Sequence, residues 1–394
     1  MIERTVLLGL ALALALLPSG LAAAALPLLR AEWAASGFAA GWVVGAYQAG
    51  YLASAVVLLP LTDRLPLRLI ISSSALACAA AALLFPLLAQ DVGSAAALRA
   101  LAGLGLAGVY LPGVRAVAAA ATPGRRGLAV GVYVSCFYLG AALSLWFTGL
   151  GLPAWGWRGA GLALGAAALA GVPLAWLGTR GPAPPAGGRG RLDLSVLRHG
   201  PVRRTIAAYA GHSWELYVSR GWLAAFLASV LASQGLPATE AAAGGSQWAA
   251  LMAGLGTPGV WLGGWLADAL GRARAALLIA LISGAGSLGF GLLGLAPWPL
   301  LLIAGCLYGL VVGADSSIYS TAVAELAPPD RLGSAQACQA VIGFSATLAA
   351  PVAAGLALDL GLGWAGVFAL AGAVGLALAL PLARDACGDR RLPG

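Results

Sequence analysis

Long runs of apolar residues follow one another along almost the whole chain, separated by short segments that carry most of the arginines. One membrane-spanning helix needs about 20 mainly apolar residues, which these runs supply. The pattern predicts an all-α membrane protein with twelve transmembrane helices, and the short loops favour antiparallel neighbours. We predict the spans near residues 5–29, 38–60, 69–90, 95–121, 127–150, 159–178, 203–232, 243–266, 275–295, 299–325, 333–358 and 364–383.

The composition agrees with a chain embedded in lipid. Of the 394 residues, 61% are hydrophobic and 9% are charged, whereas a soluble globule must cover itself with polar groups. Glycine occurs 57 times, which in a membrane favours close packing of helices. We expect such packing at Gly41-x-x-x-Gly45, Gly127-x-x-x-Gly131 and Gly309-x-x-x-Gly313.

The charged and sulfur-containing residues exclude several other classes of protein. The net charge is +8, but the arginines lie in short loops between apolar runs, so we expect no nucleic-acid partner. The five cysteines have no metal-ligand spacing, so we expect neither a metal nor a disulfide. The loops contain no nucleophile elbow, metal cluster or nucleotide-binding loop. We therefore expect a protein that is not an enzyme and needs no cofactor.

The placement of arginine predicts the orientation of the chain. With the N-terminus inside, most arginines fall on the cytoplasmic side, and Arg30 and Arg158 fall in outer loops. We therefore predict a multi-pass monomer in the bacterial inner membrane with both termini in the cytoplasm. The predicted domains are a six-helix bundle at 1–178, a cytoplasmic linker at 179–202 that is rich in Pro and Gly, and a second six-helix bundle at 203–394.

The segment that follows the eighth predicted span carries the clearest motif. Residues 264–274 read GWLADALGRAR, which resembles the loop signature of the major facilitator superfamily, G-x-L-a-D-x-x-G-R-x-R. The resemblance implies a transporter with two pseudo-symmetric six-helix bundles and a conformational latch. Asp268 and Arg272 would supply the charges of this latch, and Gly264 and Gly271 would permit its tight turn.

A weaker copy of this motif lies in the first half of the chain. Residues 59–68 read LPLTDRLPLR and keep Asp63 and Arg64, which we also assign to the latch, but they lack both glycines. Asp63 and Asp268 are 205 residues apart, and the similar segments that begin at Pro123 and Pro329 are 206 apart. These matching offsets favour two duplicated halves.

Arg99 begins a second motif of the same superfamily. Residues 99–105 read RALAGLG and resemble its fourth-helix pattern, R-x-x-x-G-x-G, in which the arginine is associated with proton coupling. The resemblance therefore implies a proton-coupling role for Arg99. Its position near the outer end of the span also allows it to snorkel to the interface.

Ionisable residues deep in a span are costly, about 2.5–3.5 kcal/mol each, and are usually functional. We place Arg115 in span four, His212, Glu215 and Arg220 in span seven, and Asp315 in span ten. In the superfamily fold, spans one, four, seven and ten line the central cavity. The helical spacing predicts that the three residues of span seven share one broad face.

Two interpretations of these charges stay open. In the first, they are structural ion pairs that hold the halves together. In the second, low dielectric favours the neutral form of Glu215 or Asp315, so that one of them accepts a proton and an arginine attracts an anion. We assign Arg115, Arg220, Tyr110, Tyr209 and His212 to substrate binding, and Glu215, Asp315 and Arg99 to proton coupling.

The favoured function is a secondary active transporter that carries a small anion together with protons by alternating access. Residues 209–222, YAGHSWELYVSRGW, resemble bacterial carriers grouped with nitrate/nitrite and cyanate transporters. True nitrate carriers have an arginine in span two and another in span eight, and this chain has neither. The alternative is a proton-coupled drug or metabolite efflux antiporter, although its G-P-x-x-G-G signature is missing from residues 131–140.

Overall fold

The computed structural model describes residues 2–62, 64–122, 125–180 and 193–388, and the regular elements in these ranges are all helical. This confirms the predicted all-α class. The chain divides into two compact units, one made of Met1–Gly188 and Leu223–Leu251, the other of Arg189–Trp222 and Met252–Gly394. The predicted domain boundaries stay a prediction. Half of the predicted linker, residues 181–192, lies outside the described residues.

Eight α-helices lie in the first part of the chain. They are α1 (Ile2–Leu16), α2 (Leu21–Ala24), α3 (Leu26–Glu32), α4 (Gly37–Leu61), α5 (Leu67–Leu88), α6 (Val92–Ala120), α7 (Arg126–Leu169) and α8 (Gly171–Gly178). Nine follow: α9 (Gly200–Ser233), α10 (Ala238–Gly254), α11 (Gly256–Leu270), α12 (Arg272–Phe290), α13 (Trp298–Val312), α14 (Ser316–Leu326), α15 (Leu332–Asp359), α16 (Gly363–Ala379) and α17 (Ala383–Gly388). Short 3-10 turns occupy Leu194–Arg198, Gly291–Leu295, Pro329–Arg331 and Leu380–Leu382.

Ten segments of the described chain are long and apolar enough to cross a membrane. One of them, Arg126–Gly178, has 53 residues and contains a kink at Gly156, where φ is 60°. A Cβ added to Gly151 would lie 2.9 Å from the Cβ of Ala160, although nine residues of straight helix extend about 13.5 Å. The chain therefore folds back here and forms two spans.

The remaining span is made of α10 and α11, which have 17 and 15 residues and follow one another directly. Neither is long enough alone, and together they supply the length of one crossing. With the two spans of Arg126–Gly178, the described helices account for the twelve predicted spans.

Several of the predicted continuous spans are interrupted, span six among them at Ala170, between α7 and α8. Span one stops at Leu16 and resumes at Leu21, because Pro18 lacks a backbone N–H and disfavours helix in the residue before it. Span eight breaks between α10 and α11. Span ten breaks between Val312 and Ser316, which places Asp315 at the N-terminus of α14 rather than within a continuous helix.

In each unit, a glycine allows the backbones of two helices to touch, and the two contacts occur at equivalent positions. In the first unit, a Cβ on Gly103 of α6 would lie 1.8 Å from the carbonyl oxygen of Tyr47 in α4. In the second, a Cβ on Gly309 of α13 would lie 2.1 Å from the carbonyl oxygen of Met252 in α10. Tyr47 and Met252 are 205 residues apart, and the two glycines are 206 apart. The same offsets as in the sequence motifs therefore relate the packing inside each unit.

The three predicted G-x-x-x-G contacts have different outcomes. Gly309 is confirmed as a site of close backbone approach. The prediction is wrong for Gly127 and Gly131, because no described atom lies within 4 Å of a Cβ added at either position. Both residues lie on an exposed part of α7. The contact at Gly41 and Gly45 stays a prediction.

Candidate functional site

The second unit contains a buried pair of polar side chains, His212 of α9 and Asp315, at the break in span ten. Nδ1 of His212 lies 2.8 Å from Oδ1 of Asp315, and both side chains are 4% exposed. The hydroxyl of Tyr319 donates to Oδ2 of Asp315 at 2.7 Å, and Oγ of Ser316 lies 2.8 Å from Nε2 of His212. Each ring nitrogen of His212 therefore has a polar partner.

The break in span ten places the carboxyl of Asp315 where these partners can reach it. Asp315 precedes the first residue of α14, and its side chain makes no capping hydrogen bond. The N-terminus of a helix favours a nearby negative charge, so α14 helps to stabilise the carboxylate. A continuous helix would not offer this interaction.

Two tyrosines enclose the imidazole of His212. The ring of Tyr209, one turn earlier in α9, stacks on it with centroids 6.2 Å apart, and the ring of Tyr319 lies 5.7 Å away. Tyr209 and Tyr319 also contact each other edge to face at 6.1 Å. The structure thus brings together Tyr209 and His212, two of the residues assigned to substrate binding, and it adds Tyr319, which carried no signal in the sequence.

Glu215 lies in a second polar cluster. Its Oε1 accepts a hydrogen bond of 2.6 Å from Oγ of Ser283 in α12, and Glu215 as a whole is 4% exposed. The hydroxyl of Tyr308 in α13 interacts with this carboxyl and lies 3.1 Å from Oγ of Ser287. A Cβ on Gly375 of α16 would lie 3.2 Å from Oε2 of Glu215. Glu215 is therefore packed among α12, α13 and α16.

The prediction of one shared face on span seven stays a prediction. His212 contacts residues of α14 and the break before it, whereas Glu215 contacts α12, because i and i+3 positions diverge by about 60° around a helix. Arg220 lies further along α9, half-buried, with its guanidinium carbon 5.4 Å from the ring centroid of Tyr217.

Arg115 lies closer to a helix end than predicted. It is five residues before the end of α6, about 7.5 Å along the axis, and its Nη1 donates to Oγ1 of Thr62 at 2.5 Å. Thr62 directly follows the last residue of α4. Arg115 therefore lies near the ends of two spans and not at mid-depth.

Tyr110 belongs to an aromatic cluster in the first unit. Its ring stacks on Tyr133 with centroids 6.1 Å apart and lies 5.0 Å from that of Phe137. The hydroxyl of Tyr133 donates to the carbonyl of Val109 at 3.0 Å. The sequence indicated Tyr110, but not the two aromatic residues of α7 that pack with it.

Arg99 does not snorkel to the interface. The residue is 7% exposed, and its Nη1 and Nε donate to the carbonyls of Ser19 at 2.7 Å and Val43 at 3.3 Å. Its guanidinium carbon lies 4.5 Å from the ring centroid of Tyr47. The break after α1 makes this burial possible, because it frees the carbonyl of Ser19 from the helical ladder.

In the second unit, residues assigned to the latch form a tight turn and a charge cluster, and their role as a latch stays a prediction. Gly271 joins α11 to α12 with φ of 86°, a conformation that favours glycine. Asp268 pairs with Arg272 at 2.6 Å, and Arg272 also pairs with Glu325 of α14 at 3.3 Å. The sequence did not indicate Glu325, which lies 53 residues beyond Arg272. Gly264 has no described atom within 4 Å of an added Cβ.

The structure describes only part of the predicted latch in the first half of the chain. Asp63 lies outside the described residues, and Arg64 is exposed. Arg68, which follows in the same motif, stacks on Trp176 of α8 with 3.5 Å from the guanidinium carbon to the ring centroid. Its counterpart Arg274 donates to the carbonyl of Ala386 in α17 at 2.9 Å. Within each unit, this arginine thus contacts the last helix of its half.

Twelve apolar spans, interrupted helices and buried titratable groups define a multi-pass membrane transporter. The family model of the Major Facilitator Superfamily matches residues 8–296, and the chain belongs to this superfamily.

Solved structures of transporters share this fold. A bacterial homolog of the human lysosomal transporter Spinster, inward-facing and unoccupied, aligns with a TM-score of 0.72 and 17% identity over 98% of this chain and 95% of that chain. Its occupied inward-facing form gives 0.71 and 18% over 97% and 94%. A D-xylose–proton symporter gives 0.73 and 15% over 97% of each chain. No curated protein matches the chain in sequence.

Proposed function

We propose that this transporter moves a small anion, an organic carboxylate or a small inorganic ion, together with protons by alternating access. The observation that carries the proposal is the buried pair of His212 and Asp315 at the break in span ten. A histidine is the side chain whose charge changes near neutral pH, and a carboxylate beside it can take up or release the same proton.

The chemistry of the second unit supports proton uptake. Neither Glu215 nor Asp315 forms an ion pair with an arginine in the described part of the chain. Each carboxyl is instead held by hydroxyl groups, from Ser283 and from Tyr319. Hydroxyls can serve either protonation state by rotating, because they both donate and accept. A site built in this way tolerates a change of charge better than a fixed ion pair.

The anion is proposed from the arginines within the spans. Arg220 places positive charge inside span seven, where such charge is costly and usually marks a substrate path, and Arg115 adds positive charge near the end of span four. A proton that neutralises a carboxyl in the second unit shifts the local balance towards positive charge. An anion then offsets this change, so that proton and anion cross together.

The proposal also includes the orientation of the chain in the membrane and its oligomeric state. The arginine bias between the two sides supports cytoplasmic termini and residence in the bacterial inner membrane. We propose a monomer as the transporting unit, with the lipid bilayer and the anion as its partners.

Proton flux into vesicles tests the proposal. The protein is reconstituted in liposomes that contain a pH-sensitive dye, and formate, acetate, lactate, nitrate, nitrite, cyanate and two lipophilic cations are added in turn. We expect one class of anion to drive inward proton movement. Asp315→Asn should abolish this movement, whereas Asp330→Asn, which changes a side chain that is 74% exposed, should leave it intact.

Two outcomes contradict the proposal. If Asp315→Asn and Glu215→Gln both leave pH-dependent transport unchanged, the buried carboxyls do not couple protons. If Arg115→Ala and Arg220→Ala keep full anion-driven flux, the arginines do not bind the anion.

Efflux of a hydrophobic cation is the second candidate. The cluster of Tyr110, Tyr133 and Phe137 in the first unit supports it, since aromatic faces attract cations and apolar molecules. In the same vesicles, proton movement driven only by lipophilic cations, and reduced by Tyr110→Leu, would favour this function.

A further inference from the structure

Arg99 is a buried cation in the first unit whose charge is not balanced by the contacts described so far. The residue is 7% exposed and lies in α6, seven residues after its first residue. In the described structure, its side-chain hydrogen bonds go to the carbonyls of Ser19 and Val43. A carbonyl is a dipole and not a charge, so these bonds leave the guanidinium with its full positive charge.

Among the described residues, no carboxylate compensates this charge. The ion pairs of the described residues do not include Arg99. The face of the Tyr47 ring lies 4.5 Å from the guanidinium and offers only the weaker attraction of an aromatic quadrupole. A buried charge without a counter-ion is strongly unfavourable, and proteins seldom retain one.

A small pocket adjoins this arginine. The residues around it come from spans one to four, and most of their side chains are apolar. Its walls include Ala15, Ser19, Tyr47, Cys78, Phe85 and Arg99. The pocket has space for one small ion or molecule.

Donor counting also points to an unfilled site. A guanidinium has five N–H groups, and the two bonds to carbonyls use Nε–H and one hydrogen of Nη1. The other three find no acceptor among the described residues. An acceptor inside the pocket would satisfy them, and a negatively charged one would also balance the charge.

We propose that the pocket beside Arg99 binds a small monovalent anion of the size of chloride, which acts as a resident counter-ion of the first unit. The anion ties the break in span one to spans two and four through Arg99. The inference does not depend on the identity of the cargo, because Arg115, Arg220 and His212 are not among the residues around the pocket.

Thermal unfolding in two salts tests the site. The full chain in detergent is heated in sodium gluconate, with chloride replacing gluconate stepwise at constant ionic strength. A ligand that binds only the folded protein raises the unfolding midpoint in a saturable way. We expect such a rise for the wild type and its loss in Arg99→Gln. Arg158→Gln is the matched control, because Arg158 is an exposed arginine of the same unit, and it should keep the rise.

A second variant covers the case in which Arg99→Gln does not fold. Ala102 borders the pocket and is 8% exposed, so Ala102→Leu should fill the space while keeping the arginine. We expect it to remove the chloride effect. In crystals grown with bromide, an anomalous peak should lie within hydrogen-bonding distance of Arg99. A chloride effect that is absent from the wild type, or unchanged in Ala102→Leu, or a bromide peak elsewhere, would overturn the proposal.

Discussion

Gly103 of α6 lies against the backbone of α4, and we expect its replacement by alanine to force these two helices apart. A Cβ at this position would lie 1.8 Å from the carbonyl oxygen of Tyr47 and 2.8 Å from its carbonyl carbon. Real Cβ contacts stay above 3.0 Å, so the oxygen must retreat by the whole difference. Because the clashing atom belongs to the backbone of Tyr47, rotation of a side chain cannot relieve the clash.

The magnitude follows from two opposing effects. Overpacking of a close contact costs about 1–3 kcal/mol. Replacing a helical glycine by alanine gains about 0.5–1 kcal/mol, because the unfolded chain loses conformational freedom. We expect Gly103→Ala to lower the free energy of unfolding by about 1–2 kcal/mol, and Gly309→Ala, which meets Met252 at 2.1 Å, to act in the same direction.

Gly131→Ala in α7 is the matched control, since no described atom lies within 4 Å of an added Cβ there. Only the gain from alanine applies, so this variant should be as stable as the wild type or slightly more stable. Reversible unfolding in mixed detergent, followed by tryptophan fluorescence, measures all three variants. Equal effects of Gly103→Ala and Gly131→Ala would refute the reasoning from backbone contact.

Three further variants test other contacts. Arg272→Ala should cost about 1 kcal/mol or less, because its partners are exposed, and a double-mutant cycle with Glu325→Ala measures the coupling. The hydrogen bond from Arg158 holds the pKa of Glu32 below its usual value, so the pair stabilises the folded protein above about pH 4.3, and this stabilisation is lost as the pH falls through the lowered pKa. In acid unfolding, the stability of Glu32→Gln should therefore depend less on pH than that of the wild type. Val196→Ala removes part of a side chain that is 1% exposed and should cost about 1–2 kcal/mol, whereas Leu194→Ala, at a position 61% exposed, should cost little in the same unfolding assay.

The sequence predicted features that depend on neighbouring residues. The twelve spans follow from runs of apolar residues, and the turn at Gly271 with the Asp268–Arg272 pair follows from a motif within eleven residues. These are local properties, and hydropathy or helix spacing is enough to find them. The same holds for the stacking of Tyr209 on His212, which lie one turn apart.

The partners of the buried polar groups could not be predicted in this way. Ser283 lies 68 residues from Glu215, and Ser316 lies 104 residues from His212. Serine is common in membrane helices, so neither carried a signal. Their contacts depend on which helices pack together. A weak signal did exist for the break in span ten, because Gly313 and Asp315 interrupt an otherwise apolar run.

The depth of Arg99 illustrates a different difficulty. Sequence position alone put it near a helix end, where a long side chain can reach the interface. The break at Pro18 exposes the carbonyl of Ser19 inside the first unit and turns the side chain inward. To predict that Arg99 is buried, one would have needed to know both that span one breaks near Ser19 and that span four packs against this break.

The two units share their backbone packing but differ in their chemistry. The offset that relates Gly103 to Gly309 relates Arg99 to Gly305, and it relates His212 and Asp315 to Val6 and Val109. The buried histidine–carboxyl pair therefore has apolar counterparts in the first unit, where the buried charge is an arginine. We infer that protonation changes the contacts of α9 and α14 within the second unit, whereas the first unit keeps a constant charge. If this division is correct, substitutions at His212 should move the pH profile of transport. Substitutions at Arg99 should alter stability without moving the profile, a result that would contradict the proton-coupling role that the fourth-helix motif implies for Arg99.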